Sequence, residues 1–448
     1  MNILHFFIGF PEERHGGASK YVSELLTAQA TMGHSVIALI PGDTLNLAKK
    51  TRIRKIADHN GINSYEIQNP PIAPLLFGLR NANYILGKDY NIDLQSVDSF
   101  YEEVKPDIFH IHTMMGLPLS LLKYIKSKGV KIVFTSHDYY GICPRVNLIN
   151  FKGVICKNTD GTECEECNKN ARPLWFLQIV NSKFFLRIKK YLPAIATKRK
   201  KRTKEKEVTY SECIPNSSDF IKLREYYSKM FSLFDAVHFN SSVSYNIYKS
   251  NYVLPKYRVI PITTGSISDN RTKRSFETRD LKMAFIGNLN PTKGYPLLKD
   301  ILIDLFKNGQ RAWKLSVWEG LKAGKDKECP NIIYEGRYKK EEIQEVFTKM
   351  DLLIVPSVCH ETFSLVTLEA LSFGTPVLVS KNVGAKMIIE DISPDFIVND
   401  KEQLKNMIIN CINNRGLLRQ YNQRIVESNK MVFSMKDHAM EIVSFYKE

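Results

Sequence analysis

The sequence predicts an α/β protein with two domains, each built on a mostly parallel sheet with helices on both faces. Short apolar runs alternate with segments of helical periodicity, first over residues 1–140 and again from Leu281 onward. Continuous apolar strands are typical of parallel sheets whose two faces are covered by helices. A chain of 448 residues is also long enough to split into separately packed domains.

The first domain begins with an apolar strand at Met1–Gly9. Tyr21, Val22, Leu25 and Leu26 recur at helical spacing, and Gly33 ends that helix. Gly129 ends a second helix in the same way. The predicted elements are strand 1–9, helix 19–32, strand 35–40, strand 107–112, helix 117–128, strand 130–136, strand 236–240 and strand 257–262.

The alternation begins again in the second half of the chain, where Gly374 and Pro376 mark the end of the last helix of the series. The predicted elements are strand 281–287, helix 296–308, strand 313–318, strand 332–335, helix 341–349, strand 352–356, helix 364–373 and strand 376–380.

These patterns divide the chain into an N-terminal domain, residues 1–268, and a C-terminal domain, residues 269–430. Residues 140–215 interrupt the alternation and are interpreted as an insertion in the first domain. The segment Thr263–Asp280, rich in Ser, Thr and Arg, is the natural linker. We expect the C-terminal helix, residues 431–448, to complete the N-terminal domain.

Composition narrows the class of protein. With 44% hydrophobic and 25% charged residues, the chain is not globally disordered. The N-terminus lacks the basic start and cleavage site of a signal peptide, and no apolar run reaches the ~20 residues of a membrane span. We therefore expect a cytoplasmic protein whose eight cysteines are thiols or metal ligands.

The clearest chemical motif lies between a strand and a helix, from Pro356 to Val377. Amide groups at the start of a helix bind phosphate, because they lack intrahelical partners and lie at the positive end of the helix dipole. Carboxylates beside such a site suit hydroxyl-rich ligands. The candidate residues are Glu361, Phe363, Ser364, Leu365 and Glu369.

Two glutamates followed by Ala-Leu-x-x-Gly-x-Pro-Val resemble the donor motif of retaining GT-B glycosyltransferases of family four. The resemblance implies two Rossmann-like domains facing each other across a cleft. It also implies a nucleotide-diphosphate sugar as donor, with Glu361 at the sugar, Glu369 at the ribose and the intervening amides at the diphosphate. No cofactor is required for catalysis in this family. The alternative is that this motif has no binding role and is a solvated helix start with ordinary surface carboxylates.

A second motif, Phe285–Gly294, contains a lysine that supplies a point charge for a diphosphate leaving group. It is similar to the family's Gly-Arg-Leu and Lys-Gly pattern, which makes Gly287, Asn288 and Lys293 donor-binding candidates. Asn288 stands where the family often has arginine. Ser364 replaces a frequent glycine, and Gly384–Met387 replaces a Gly-Gly segment with its downstream glutamate.

A glycine pair, Gly16 and Gly17, separates the first strand from the first helix. Glycine lets the backbone approach a ligand closely and direct N–H groups at anionic oxygens. Tight turns also use such pairs. The position resembles the family's Gly-Gly loop, which implies a place near the donor phosphates and the acceptor.

Two histidines follow the ends of predicted parallel strands, His112 and His137. Ligands of open α/β sheets bind at the carboxyl ends of strands. The resemblance implies that His137 lies against the donor sugar as a catalytic residue with Lys293 and Glu361, and that His112 lies on the acceptor side. For an isolated histidine, a structural role in the core is the usual alternative.

Four of the eight cysteines lie close together in the insertion: Cys143, Cys156, Cys164 and Cys167. A Cys₄ zinc site needs a Cys-x-x-Cys pair plus two further thiolates. Only the last two have that spacing, so a structural zinc site and reduced thiols are both open.

The insertion also carries much of the net charge of +16. The apolar, aromatic and basic segment 173–192 is followed by the run Lys198–Arg202, a pattern that suits an amphipathic helix on an anionic membrane. A helix packed on the first domain is the alternative. Nucleic acid is disfavoured because no nucleic-acid-binding motif is present.

The sequence thus predicts a retaining hexosyltransferase, peripheral at the inner face of the plasma membrane, that acts on a lipid-linked acceptor in surface polysaccharide synthesis. Two alternatives stay open: a sugar-nucleotide 2-epimerase of the same fold, and a non-catalytic binding or scaffold protein.

Overall fold

The computed structural model describes residues 1–44, 50–87, 91–189, 215–320, 323–429, 431 and 433–448. The basic run Lys198–Arg202 lies outside the described residues. The chain forms two compact units. Unit 1 contains residues 1–238, 248–258 and 439–448, and unit 2 contains residues 239–247 and 259–438. From the sequence we expect the N-terminal domain to end at residue 268 and the C-terminal domain to end at residue 430.

An eight-stranded sheet forms the centre of unit 1, in the order β3-β4-β2-β1-β5-β6-β7-β8. The pairings of β1 with β2 and β5, of β2 with β4, and of β6 with β5 and β7 are parallel, whereas β3 pairs antiparallel with β4. The strands are β1 Asn2–Phe6, β2 Ser35–Pro41, β3 Arg52–His59, β4 Ile62–Gln68, β5 Ile108–Ile111, β6 Lys131–Thr135, β7 Ala236–Phe239 and β8 Lys256–Val259.

Helices cover this sheet because their apolar faces need burial. In the first helix, Tyr21, Val22, Leu25 and Leu26 are buried, as the spacing predicts. The helices are α1 Gly17–Thr31, α2 Asn83–Leu86, α3 Leu94–Val104, α4 Leu119–Ser127, α5 Cys164–Asn168, α6 Leu174–Asn181, α7 Lys183–Lys189 and α8 Ser217–Phe231. The next helix, α9 Ser242–Lys249, belongs to unit 2 up to residue 247. A short 3₁₀ turn spans Leu75–Phe77.

A seven-stranded sheet forms the centre of unit 2, in the order β11-β12-β10-β9-β13-β14-β15. Its pairs are parallel except for β11 with β12. The strands are β9 Leu281–Ile286, β10 Trp313–Trp318, β11 Gly324–Lys325, β12 Ile332–Gly336, β13 Leu352–Val355, β14 Val377–Ser380 and β15 Ile397–Val398. The helices of this unit are α10 Tyr295–Lys307, α11 Ile343–Lys349, α12 Leu365–Ser372, α13 Lys386–Glu390, α14 Lys401–Asn413 and α15 Gly416–Glu427. The last helix, α16 Met435–Lys447, belongs to unit 1 from residue 439 onward.

The predicted class, two mostly parallel sheets flanked by helices, is confirmed. The hairpin of β3 and β4 was not predicted from the sequence. β3 lies at the sheet edge, and most of its side chains are exposed or half-buried, so it lacks the continuous apolar run of a buried strand. Among the described residues, we find no helix with the length and apolar character that a membrane crossing requires.

Candidate active site

The loop after β9 in unit 2 carries the predicted lysine. Gly287 has a φ of +143° and open space where a side chain would lie. Asn290 then accepts a hydrogen bond from the Lys293 amide at 3.0 Å and fixes a 3₁₀ turn. At Gly294 the φ is +75°, and a Cβ would overlap the carbonyl oxygen of Pro356. Close backbone packing at this glycine therefore holds the Lys293 loop against the end of β13.

Lys293 and Glu361 form an ion pair, with Nζ 3.0 Å from Oε1. The lysine side chain is 40% exposed and the glutamate 10%. The hydroxyl of Ser357 also donates to Glu361 Oε1. The structure thus brings together the two residues predicted to be catalytic in this half of the chain.

Backbone hydrogen bonds position the loop that carries Glu361. Its amide donates to Asn382 O at 2.9 Å, and its carbonyl accepts from Gly384 N at 3.0 Å. The amide of Ala385 donates to Phe363 O at 2.7 Å. A Cβ at Gly384 would overlap the Thr362 carbonyl oxygen. The segment that departs from the family pattern therefore supports the glutamate loop.

Ser364 occupies the N-cap position of α12, close to the predicted helix start, with φ +97°. That conformation favours glycine, which agrees with the glycine frequent at this position in the similar family. The Ser364 hydroxyl accepts from Thr367 Oγ1 at 3.0 Å and caps no amide of the helix. Phe363 is buried and Leu365 is half-buried.

Glu369 lies one turn further along α12 and is half-buried. Its carboxylate contributes to raising the pKa of Tyr338, after the larger effect of burial. Tyr338 is thus a neighbour of Glu369 that sequence reasoning missed, because it follows a different strand. Asn288 is exposed at the loop after β9.

The predicted residues of unit 1 meet around one cavity of about 420 Å³. Gly16, His112 and His137 all line it, and the exposed Gly17 follows as the first residue of α1. The cavity lies where β1, β5 and β6 end, since these strands are parallel neighbours. The structure therefore places the glycine loop, His112 and His137 together at the ends of neighbouring strands.

Three charged residues of this cavity were not predicted, Glu13, Arg14 and Asp138. Arg14 donates to Asn181 Oδ1 at 2.7 Å, and burial lowers its pKa to about 10, so it keeps its charge at neutral pH. Burial raises the pKa of Asp138 to about 6, although Tyr140 N and Thr113 Oγ1 both donate to its carboxylate. The sequence could have indicated both Arg14 and Asp138 as site residues, because Arg14 lies beside the glycine loop and Asp138 directly follows His137.

Both predicted histidines are neutral at pH 7. Burial lowers the pKa of His137 to about 3 and holds that of His112 well below its usual value, with a smaller contribution from neighbouring histidines. His112 Nδ1 and His137 Nε2 are hydrogen-bonded at 3.1 Å. His137 can therefore form a hydrogen bond with a ligand but cannot supply a positive charge.

The four cysteines of the insertion line one small cavity of about 10 Å³. Burial raises the pKa of each thiol, which favours the neutral form in the absence of metal. In the described part of the chain, three potential ligand atoms lie within 4.8 Å of one another only at His5, His110 and His112. Zinc binding by Cys143, Cys156, Cys164 and Cys167 stays a prediction.

Two protein families match separate parts of the chain. Residues 15–151 match the family described as "Glycosyltransferase Family 4", and residues 280–414 match "Glycosyl transferases group 1". Together the two segments span more than half of the chain. The first contains the glycine loop and both histidines, and the second contains the loops of Lys293 and Glu361.

A relative from Klebsiella pneumoniae, "Uncharacterized 42.6 kDa protein in cps region", is 24% identical over 161 residues. That match covers 33% of this chain and 39% of the relative, so it spans well under half of either protein.

Several solved structures share the fold over their full length. Sucrose-phosphate synthase from Thermosynechococcus elongatus is 14% identical with a TM-score of 0.57, over 99% of this chain and 98% of that one. WaaG, a glycosyltransferase involved in lipopolysaccharide biosynthesis, is 12% identical with a TM-score of 0.54, over 99% of each chain. HepE of Anabaena in complex with UDP is 12% identical with a TM-score of 0.59, over 100% of each.

Proposed function

Because the chain belongs to the family-four glycosyltransferases and has their GT-B fold, we propose that it transfers a sugar with retention from a nucleotide-diphosphate donor to a lipid-linked saccharide acceptor. The observation that carries the proposal is the ion pair of Lys293 with Glu361 beside the start of α12. One cation, one carboxylate and a helix start suit a ligand that has both phosphates and hydroxyls.

In the proposed donor site, the diphosphate binds at Lys293 and the amides at the start of α12. Glu361 accepts hydrogen bonds from the sugar, and Glu369 from the ribose. The open space above Gly287 lets the nucleotide approach the end of β9. As the glycosidic bond breaks, Lys293 and the helix start stabilise the negative charge on the leaving diphosphate, which is the main catalytic contribution of such sites.

In the proposed acceptor site, the cavity of unit 1 takes the saccharide. The neutral ring of His137 hydrogen-bonds a hydroxyl of the substrate, with His112 behind it. Arg14 lines this cavity together with the acidic Glu13, and it supplies the positive charge that a phosphate of a lipid carrier would need. A lipid carrier also fits Leu76, which lines the same cavity and is 65% exposed.

Beside that cavity, exposed apolar side chains of unit 1 are proposed to contact an anionic membrane. On α6, Trp175 and Ile179 are one helical turn apart and both exposed, and Phe184 on α7 is 74% exposed. Phe77 packs edge-on against Phe176, which links the 3₁₀ turn to α6. Lys183 pairs with the buried carboxylate of Glu66, which anchors α7 to β4.

The relatives agree with this function. HepE was solved with UDP, WaaG is named for lipopolysaccharide biosynthesis, and the Klebsiella relative is named for a cps region. We therefore propose a role in bacterial surface polysaccharide synthesis.

Ligand-observed NMR with UDP, GDP, ADP and CMP tests the donor site. We expect selective binding of one nucleotide and a loss of affinity of about tenfold or more in Glu369→Ala, since that is ~1.4 kcal/mol of hydrogen bonding. Glu345→Ala is the control, because Glu345 is an exposed residue of α11 paired with Lys349. A folded protein that binds no nucleotide would contradict the proposal and favour a scaffold role.

Product analysis separates the remaining activities. A transferase gives product only when acceptor is present, and the anomeric coupling in its product reports retention. An epimerase would instead isomerise the donor without any acceptor.

Flotation with phosphatidylglycerol vesicles tests the membrane surface. The double variant Trp175→Ser and Phe184→Ser should weaken vesicle binding at least about tenfold, since burial of each apolar side chain in the membrane contributes ~1.5–3 kcal/mol to the binding free energy. Val253→Ser is the control, because Val253 is 95% exposed elsewhere in unit 1. Equal binding by both variants would refute the proposed surface.

A further inference from the structure

A continuous chain of hydrogen bonds runs from His137 into the core of unit 1. His137 Nε2 is 3.1 Å from His112 Nδ1, and His112 Nε2 is 3.0 Å from His5 Nδ1. His5 Nε2 is 2.8 Å from Gln29 Oε1. The chain ends at Tyr446, whose hydroxyl accepts from Gln29 Nε2 at 3.1 Å. Only its first member, His137, is partly exposed.

Each histidine of this chain is neutral. Burial lowers the pKa of His5 to about 4 and of His137 to about 3, and holds that of His112 well below its usual value. A neutral imidazole has one N–H donor and one acceptor nitrogen. Rings joined nitrogen to nitrogen must therefore all donate in the same direction, since two lone pairs or two N–H groups facing each other would leave a buried polar atom unsatisfied.

Gln29 determines that direction. Its amide oxygen only accepts, so His5 donates to it through Nε2–H and accepts through Nδ1. His112 must then donate through Nε2–H to His5. In turn His137 must donate through Nε2–H to His112 Nδ1.

We propose that Gln29, His5 and His112 act as a tautomer relay, which holds His137 in its Nε2–H form and leaves Nδ1 as the nitrogen that accepts a hydrogen bond. The three relay members are positioning residues, because only His137 reaches the substrate in the proposed function.

Tyr446 on α16 fixes the amide of Gln29 in turn. Its hydroxyl oxygen accepts from Gln29 Nε2 and lies 2.6 Å from His110 Nδ1. The network continues from His110 Nε2 to Thr135 Oγ1, also at 2.6 Å, and from Thr135 Oγ1 to His238 Nδ1 at 3.0 Å. The C-terminal helix thereby takes part in choosing the tautomer of a residue in the cavity.

Ring ¹⁵N NMR of the full-length protein labelled at histidine tests the relay, because protonated and bare ring nitrogens resonate in separate regions. The His137→Gln variant assigns the signals of His137. In the wild type we expect a protonated Nε2 and a bare Nδ1. Gln29→Met removes the acceptor at the end of the relay, and Tyr446→Phe releases the amide to rotate. In either variant the two His137 signals should lose their separation.

Tyr421→Phe is the matched control, since it removes a buried hydroxyl that donates to Val377 O in unit 2. Its His137 signals should equal those of the wild type. A protonated Nδ1 in the wild type would overturn the proposal, and so would unchanged His137 signals in a folded Tyr446→Phe. This readout is independent of nucleotide binding, so a failure of the proposed donor site leaves the result interpretable.

Discussion

At the scale of single residues, the ion pair of Lys293 with Glu361 is the contact that most directly supports the proposed donor site. We expect this pair to contribute ~0–1 kcal/mol to folding, because the Lys293 side chain is 40% exposed, so water screens its charge, and the side chains lose entropy. The contribution to folding is therefore too small to explain why a lysine and a carboxylate lie together at a helix start. The better explanation is that each side chain holds the other in position for a charged ligand.

Lys293→Met should separate catalysis from stability. We expect turnover of the nucleotide sugar to fall about 10²-fold or more, since a preorganised charge at the leaving group is lost. The free energy of unfolding should change by less than about 1 kcal/mol. Product assays and urea denaturation measure the two effects.

Lys314→Met is the control for that prediction, because Lys314 forms an exposed ion pair with Asp280 in the same unit. It should leave turnover unchanged. Equal losses of turnover in the two variants would indicate a general effect of charge and not a role at the leaving group.

At the scale of elements, close backbone packing holds the donor loops in place. Gly294 is the N-cap residue of α10 and lies directly against Pro356, which follows β13. Gly384 plays the corresponding part beneath the Glu361 loop. These contacts fix the ends of two neighbouring parallel strands, β9 and β13, and so determine where Lys293 and Glu361 meet.

Gly294→Ala should destabilise unit 2 by more than its backbone angle alone explains. Gly309, at the other end of α10, has a similar φ of +84° but open space around it. Gly309→Ala should therefore cost about 1 kcal/mol, the usual effect of forcing alanine to positive φ. Gly294→Ala adds a backbone overlap and should cost at least ~2 kcal/mol more. Chemical denaturation of both variants measures the difference, and equal costs would contradict the packing role.

At the scale of the whole molecule, the buried histidines make stability depend on pH. Their folded pKa values lie below that of an unfolded histidine, so on acidification the unfolded chain takes up protons first. The contribution of each histidine to the free energy of unfolding should be fully present above pH ~6.5. It should decrease by up to ~1.4 kcal/mol per pH unit as the pH falls toward 4. Asp138 acts in the opposite direction. Burial raises its folded pKa to about 6, so the folded chain takes up this proton first and gains stability as the pH falls.

Two variants test these signs. His137→Asn should make the loss of stability between pH 6.5 and 4 shallower by about 1 kcal/mol per pH unit, whereas Asp138→Asn should make it steeper. Urea denaturation at several pH values measures both slopes. Slopes that change in the same direction would show that burial does not govern these two groups.

Much of the architecture could be predicted because its signals are local. Apolar runs at β1, β9 and β13 and the helical spacing of Tyr21 to Leu26 each lie within a short segment. The hairpin of β3 and β4 could not be predicted from such runs, because an edge strand with polar side chains resembles a loop.

For the site, the sequence by itself determined which residue types stand at strand ends and helix starts: the glycine loop, the two histidines, the lysine loop and the two glutamates. These positions follow from short-range pattern and from the resemblance to one family.

Only the tertiary structure decided which of them touch. Burial in the core made His137 neutral and joined it to Gln29, more than a hundred residues away in sequence, and the packing of Gly294 on Pro356 brought Lys293 to Glu361. The reason is physical: desolvation and hydrogen-bond direction depend on neighbours that are distant in the chain, and no local pattern records them.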